Sequence, residues 1–574
     1  MTNDHMPSSS RTADRLGGTG VLVRPDRTFA TEVSDWFLHI GRDKVLRQEI
    51  SREFPAEYLY FLKSSKLLER SLVPAWLGDG PDGWAPYRVA GLSEHLAFHS
   101  FTHWLMWHVS SLSATPVWMS DNTAAQDTYR EQFRAGMVGA FGMSERGAGA
   151  DWRTTATSVK RLADRYVASG GKDYTGNGNV SSLITTFARN GDGGSRDYML
   201  FRADSHRHGF ELVGNSVPEQ MYVSEFRLSD YEFGDDDVIS TGPQAFADAV
   251  NTINVGKFNL ATAATGLVSR ALVETFRHTS HRSIFGQPVS SFGQNRDGLC
   301  RATLRLIGMK AFNARCVDYM HTSGEEDNRY VVLNAVAKAK VTHDATEVIH
   351  ALCDVISAKA FETDSAFRSA MKYAEYLPRL EGTRYVNLMQ AVRAAPNFFD
   401  FANRTAHVPG TADGSMEGPR YLLSRRRLGG LERLVFSDHK PLKDALGHLP
   451  SVALFFDAVE RLGSTLFVEP IDQTDQRKVQ AVGEIFALAV YGTVIAEYAR
   501  LRPDDEVWEA VLGLVLEDLA TALVRSRVDL ADHREVARSL LGSIQDNRTA
   551  WPADRIIDHL RSATERVSGL WGVR

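Results

Sequence analysis

Cysteine is almost absent from this chain: Cys300, Cys316 and Cys353 are the only three in 574 residues. A sparse, odd-numbered set builds no disulfide framework and suits a reducing, cytoplasmic compartment. An excess of positive charge is also lacking. The net charge of −6 leaves no basic footprint for nucleic acid. Long apolar runs are missing as well. The most apolar stretch, Ile485 to Tyr498, contains Glu497 and falls short of the ~20 residues that a membrane span needs. The first residues, Met1 to about Gly20, are rich in Ser, Gly, Thr and Asp and have no apolar signal-peptide core. Residues 1–28 read as a disordered tail. No internal repeat recurs at a fixed period.

What is present is an ordinary globular composition, 43% hydrophobic and 24% charged, able to bury a large core. At roughly 150 residues per domain, the length predicts three or four domains. Residues 29–140 are mainly helical in pattern, with apolar segments around Tyr58, Tyr60, Phe61 and Leu62 and from His95 to Val109. From 141 to 240 short β-prone runs appear, such as Leu183–Phe187 and Tyr198–Phe201, separated by Gly, Asn and Asp clusters. From 241 to 400 the helical period returns. One helix is predicted through Asn259 to Thr279, and another from the stripe Val341, Ala345, Val348, Leu352 and Val355. Residues 401–430, rich in Gly, Pro, Thr and Ser, form a linker, and 431–574 a further helical unit. The fold class is mainly α with a small central β domain.

Four short segments carry chemistry. Phe141-Gly-Met-Ser-Glu-Arg-Gly-Ala-Gly-Ala-Asp151 opens the β region, and its glycines let a backbone approach a ligand closely. Read alone, it is equally a surface loop. Gly171-Lys-Asp-Tyr-Thr-Gly-Asn-Gly178 offers an aromatic, Tyr174, for stacking, and read alone is a strand with an Asn-Gly turn. In Arg282-Ser-Ile-Phe-Gly-Gln-Pro-Val289 the arginine can hold a pyrophosphate by charge-assisted hydrogen bonds. Leu380-Glu-Gly-Thr383 follows the long helix and alone would be a helix N-terminus with an acidic first turn.

In this order, the four segments resemble the acyl-CoA dehydrogenases, specifically the longer members with a C-terminal helical extension. The first resembles Thr-Glu-Pro-Gly-Ala-Gly-Ser-Asp, the second Gly-x-Lys-x-Trp-Ile-Thr-Asn-Gly, the third Arg-x-x-Phe-Gly-x-Pro-Leu and the fourth Tyr-Glu-Gly-Thr. The resemblance implies helical, β-barrel-like and four-helix-bundle domains followed by the extra helices. It implies FAD as cofactor, with Phe141, Met143 and Ser144 against the flavin ring and Tyr174 at its edge. Arg282 would lie at the pyrophosphate, Phe285 towards the adenosine, and Thr383 by the diphosphate or ribityl chain. Glu381 would be the catalytic base. Departures are Arg146 for proline, Ala150 for serine, Gly176 for threonine, and Gly293 at a glutamine position, with Gln294 one residue late. Ser357, Ala358 and Ala360 replace the glycines of a Leu-Gly-Gly-x-Gly pattern, and Lys257 stands where many members carry an arginine.

The implied reaction places an α,β double bond in an acyl thioester, on CoA or on acyl-carrier protein, as in fatty acid metabolism. Glu381 takes the α proton while the β hydride goes to flavin N5. Such a base must be partly desolvated. An electron-transfer flavoprotein or similar acceptor and a homodimer or homotetramer are the implied partners. Peripheral membrane contact stays open, through Arg425-Arg-Arg427. The alternatives are an oxidase or monooxygenase on the same scaffold, or a degenerate subunit of an active partner. His95, His99 and His103 recur every four residues and would share one helix face. No nearby Asp or Cys completes a metal site, and no metal is expected.

Overall fold

The computed structural model describes residues 27–571, except 79–82, 192–196, 218–222, 406, 411–416, 425–429, 467–471, 473, 527–532 and 547–550. Of the tail expected over residues 1–28, residues 1–26 lie outside the described residues, as does the Arg425–Arg427 run, while Arg27 and Thr28 already open a helix. The chain forms two compact units. The first comprises Asp26–Asn259 with Ser415–Gly429, the second Leu260–Gly414 with Gly430–Arg574.

The first unit opens with α1 (Arg27–Ile40), three shorter helices between 42 and 72, then α2 (Pro86–His99), α3 (Phe101–Met119) and α4 (Thr123–Arg134). Helix α3 is buried on every side, so it is the centre of this layer rather than an amphipathic cover. Ser100, in extended conformation (φ −159°), separates α2 from α3. His103 therefore stands on a different helix from His95 and His99, and the single histidine face expected from the spacing does not form. His95 hydrogen-bonds Ser34 Oγ at 2.7 Å, and His103 Nδ1 meets Ser100 Oγ at 2.8 Å. Burial pushes their imidazoles down to about 4 and about 3. Of the apolar segment 58–62, Tyr60 faces out.

Eight strands follow: β1 (Ala140–Gly142), β2 (Ser158–Leu162), β3 (Arg165–Thr175), β4 (Leu183–Asn190), β5 (Tyr198–Asp204), β6 (Phe210–Asn215), β7 (Ser224–Phe233) and β8 (Val238–Thr241). They make one sheet in the order β6-β7-β3-β2-β4-β5-β8, with β1 paired parallel to β4. Its core includes Ala140, Val159, Ala168, Ile184, Phe201 and Phe226. Helix α5 then runs from Gly242 to His281, longer than the predicted Asn259–Thr279.

The second unit is helical. It contains α6 (Gly293–His321), α7 (Tyr330–Val336), a π-helical turn Ala337–Val341, α8 (Thr342–Ile356), α9 (Phe367–Tyr376) and α10 (Arg384–Ala391). Beyond the linker come α11 (Pro450–Leu466), α12 (Gln476–Leu501), α13 (Asp505–Arg525), α14 (His533–Asp546) and α15 (Ala553–Trp571). The apolar stretch expected to be too short for a membrane lies within α12, which has 26 residues and is long and apolar enough to cross one. In this fold 78% of its most apolar window is buried. Its Glu497 accepts from Arg315 at 3.0 Å and from Tyr319 at 2.9 Å, so its one interior charge is paired within the unit.

Candidate active site

In the first unit, the two glycine-containing segments meet side by side. Strand β1 leads into the loop carrying Ser144 and Glu145, and β3 carries Lys172 to Tyr174. Lys172, fully buried, places Nζ 2.7 Å from Glu145 Oε1 and donates to Met143 O at 3.3 Å. Glu145 also accepts from Ala156 N at 2.7 Å and Thr157 Oγ1 at 2.7 Å, and from Thr155 Oγ1. Burial alone would raise the Glu145 carboxyl, but Lys172 and these donors outweigh it and hold it at about 2. Burial brings the Lys172 ammonium down to about 8 against the pull of Glu145. Both remain charged at neutral pH.

A second tie runs along the backbone. Asp173 N donates to Ser144 O at 3.1 Å, and Arg146 N donates to Asp173 Oδ2 at 2.8 Å. A proline at 146 could not make that bond, since it has no N–H. Asn177, in the left-handed region at φ 59°, donates its side-chain amide to Gly139 O (3.0 Å) and Met106 O (2.8 Å). The Asn-Gly turn is thus fastened to the residue just before β1. Gly176 has a packing reason as well. A Cβ there would lie 2.8 Å from Val109 Cγ2 on α3. Of the predicted contact residues here, Phe141 and Met143 are buried, Ser144 is half-buried and Tyr174 is half exposed.

In the second unit, Arg282 precedes a two-stranded ribbon, Ser283–Ile284 paired with Gln287–Pro288. Phe285 (φ 51°) and Gly286 (φ 81°) form its tip, and the phenyl ring is 93% exposed. Positive φ at both central residues is the geometry of a primed hairpin turn. A bulky side chain is a steric outlier there. Arg282 is exposed and forms no ion pair among the described residues. Burial, then the cations Arg282 and Lys359, push the His278 imidazole below its ordinary value. Lys359, in the turn after α8, is itself paired with Glu362 at 2.7 Å and Asp364 at 2.8 Å. That turn begins at Ser357, with φ 62° and ψ −148°. This is backbone territory that belongs almost wholly to glycine.

Glu381 lies in the turn between α9 and α10, at φ 50°, followed by Gly382 at φ 89°. Thr383 caps α10, its Oγ1 accepting from Val386 N at 3.4 Å. Glu381 therefore stands ahead of the cap, outside the helix's first turn. Asn387, fully buried, donates to Gly382 O at 3.0 Å and to Thr383 O at 2.9 Å. Eight non-glycine residues have positive φ among the described residues, and four of them (Asn177, Phe285, Ser357 and Glu381) fall in the segments singled out by sequence. Strain of this kind concentrates at functional sites.

A cavity of about 360 Å³ lies near α10, between α6, α8, α12 and α13. Four of its lining cations are paired with carboxylates. Arg301 meets Glu517, Arg305 meets Asp518, Lys340 meets Asp344 and Asp518, and Arg384 meets Glu484. These pairs brace the later helices against the earlier ones and leave Glu381 outside the cavity lining.

Sequence reasoning named Glu381, Arg282, Phe285 and Tyr174 but missed the Glu145–Lys172 clamp and Asn387. The clamp was detectable, because both residues occupy the glutamate and lysine places of the quoted family strings. Asn387 carried no such signal.

The family model described as the acyl-CoA dehydrogenase C-terminal domain matches residues 246–395. A 3-(aryl)acrylate reductase of Clostridium sporogenes is 22% identical over 290 residues, which are 49% of this chain and 74% of that protein. The short-chain-specific acyl-CoA dehydrogenase of Megasphaera elsdenii is 22% identical over 287 residues, 49% of this chain and 73% of that protein. Over about half its length the chain is thus similar in sequence to acyl-CoA dehydrogenases. A likeness in fold extends over almost the whole chain. A solved acyl-CoA dehydrogenase of Bacillus anthracis, complexed with FAD, superposes at TM-score 0.69 with 14% identity, covering 99% of this chain and 96% of that one. The helices beyond residue 430 thus have counterparts in that solved structure.

Proposed function

We propose that this protein is an FAD-dependent oxidoreductase that introduces an α,β double bond into an acyl thioester, with Glu381 as the base. The observation that carries the reading is the Glu381 turn. A non-glycine residue is held at φ 50° by a following Gly382 and by the buried Asn387 amide, so the backbone takes strain in order to present one carboxylate. The Glu381 carboxylate accepts the α proton of the substrate. When bound, FAD supplies the two-electron acceptor for the β hydride.

The chain's own residues fit that dinucleotide. Ser357 adopts a glycine-type bend although it carries a side chain, as a backbone cradle for the cofactor at this position would require. Arg282, exposed at the end of α5, would meet the diphosphate, whereas Lys359 is already held by Glu362 and Asp364. Phe285 offers an exposed ring for the adenosine end. Thr383 would stand by the ribityl or diphosphate chain. Phe141, Met143, Ser144 and Tyr174 would contact the flavin ring, on a loop that the Glu145–Lys172 pair keeps rigid. An electron-transfer flavoprotein is the proposed electron acceptor, and the assembly a homodimer or homotetramer.

The test is purification followed by anaerobic titration with acyl-CoA and acyl-carrier-protein thioesters. Yellow protein whose flavin bleaches on addition supports the reading. Glu381→Gln retains FAD and slows bleaching by about 10²–10⁴-fold. Colourless protein that takes up no FAD overturns the cofactor assignment, and bleaching of Glu381→Gln at the wild-type rate overturns the base. Rapid peroxide formation in air selects an oxidase instead.

A further inference from the structure

We propose that Lys338 is a positioning residue for Glu381. Its ammonium holds the carbonyl of Gly382 and so fixes the strained turn that presents the base. The inference rests on the reading of Glu381 as the base and extends it to a residue on another helix.

The argument begins with the helix. Residues Ala337–Val341 form a π-helical turn between α7 and α8. Such a turn inserts an extra residue into the helical repeat and re-aims the side chains it contains, and π turns recur at functional sites. The surrounding residues Ala335, Val336, Ala337, Ala339 and Val341 are all buried and apolar. In their midst Lys338 is fully buried. A lysine in that setting is costly unless its ammonium is used. Its Nζ donates to Gly382 O at 3.3 Å. The same oxygen receives the Asn387 amide at 3.0 Å. Thr342 Oγ1 donates to Lys338 O at 2.5 Å and so ties the π turn's own backbone.

Two residues on, Lys340 shows the alternative use of a buried lysine. It pairs with the carboxylates of Asp344 and Asp518 at 2.6 and 2.7 Å. The Lys338 ammonium addresses a main-chain carbonyl, that of Gly382, the second of two consecutive positive-φ residues in the Glu-Gly-Thr segment. Holding that carbonyl from two sides resists relaxation of Glu381 out of φ 50°. A charge-assisted bond to a carbonyl is stronger than a neutral one, which is why the cation contributes beyond Asn387.

The experiment compares the wild type with Lys338→Met, Lys338→Gln and Lys338→Arg, by amide hydrogen exchange and by flavin reduction. In Lys338→Met, exchange of the amides from 381 to 385 should quicken by about 10-fold or more, while α12 keeps its protection. The limiting rate of flavin reduction should fall by about 10–100-fold with KM little changed, because the base is misplaced rather than removed. Lys338→Arg should restore both, and Lys338→Gln should lie between. Unchanged exchange at 381–385 in Lys338→Met overturns the proposal. So does faster exchange spread evenly over the whole unit in every variant, which would make Lys338 a general core residue. The exchange arm needs no turnover. If Glu381→Gln leaves flavin reduction intact while Lys338→Met loosens the turn, the base assignment falls and the contact stands.

Discussion

The first unit and the Glu381 turn of the second are stiffened by opposite means. In the first, Glu145 and Lys172 neutralise each other, and four further donors and acceptors close around them. Nothing charged is left over at that point. At the Glu381 turn, the side chains of Lys338 and Asn387 bond to a backbone oxygen, that of Gly382. The difference teaches how to recognise the roles. Where the protein needs a rigid platform it pairs charges with each other. Where it presents a reactive group it fastens the main chain and accepts local strain.

The comparison can be broken most forcefully at the clamp. Lys172→Met leaves Glu145 buried without its cation and should lower stability by about 3–5 kcal/mol, read as a fall in urea midpoint. The double variant Glu145→Gln/Lys172→Met should recover much of that loss, since the cost is the orphaned charge. Acid sharpens the same point. The Glu145 carboxyl is lowered from 4.5 to about 2 in the folded protein. Below 4.5 the unfolded chain takes up the proton first, so this contribution to stability is intact above that pH and is lost as pH falls towards 2. Denaturation midpoints across that window should drop less steeply in Glu145→Gln.

A smaller effect is expected at Gly176. Gly176→Thr restores the family residue but drives its Cβ against Val109, costing about 1–3 kcal/mol by thermal denaturation. Val109→Ala in the same chain should recover part of it. The smallest effect carries the opposite sign. Ser357→Gly relieves the strain at φ 62° and should stabilise the protein by about 1 kcal/mol. If Ser357→Gly destabilises, the serine side chain itself holds the turn, and the contrast drawn between the regions weakens.

Much of this was legible in sequence. The change from helical period to β-prone runs near Phe141 corresponds to strand β1, and the return of helical period corresponds to α5. The segments 141–151 and 171–178 were found separately, yet the pair Glu145–Lys172 that joins them is a tertiary fact. The histidine spacing misled because one extended residue, Ser100, interrupts the helix without any glycine or proline to announce it. The extent of α12 was underestimated because its first turns are polar, beginning from the Asp475 cap. Ser357 is the sharpest case. It stands at a glycine position of the resembled pattern, and its backbone adopts a conformation that belongs almost wholly to glycine. Lys338 gave no signal, since its meaning depends on a π turn that residue patterns do not reveal.

The helices that follow residue 430 touch the segment after Glu381 directly. Glu484 holds Arg384 at 2.7 Å, Gln480 donates to Tyr385 O at 3.1 Å, and a Cβ at Gly483 would lie 3.3 Å from Leu388 Cβ. This couples the drift of two distant stretches of sequence. A substitution at 480–484, nearly a hundred positions from the carboxylate, changes the footing of α10 and with it the turn that α10 begins from. Variants in this stretch should therefore be sorted by turnover rather than by yield of folded protein.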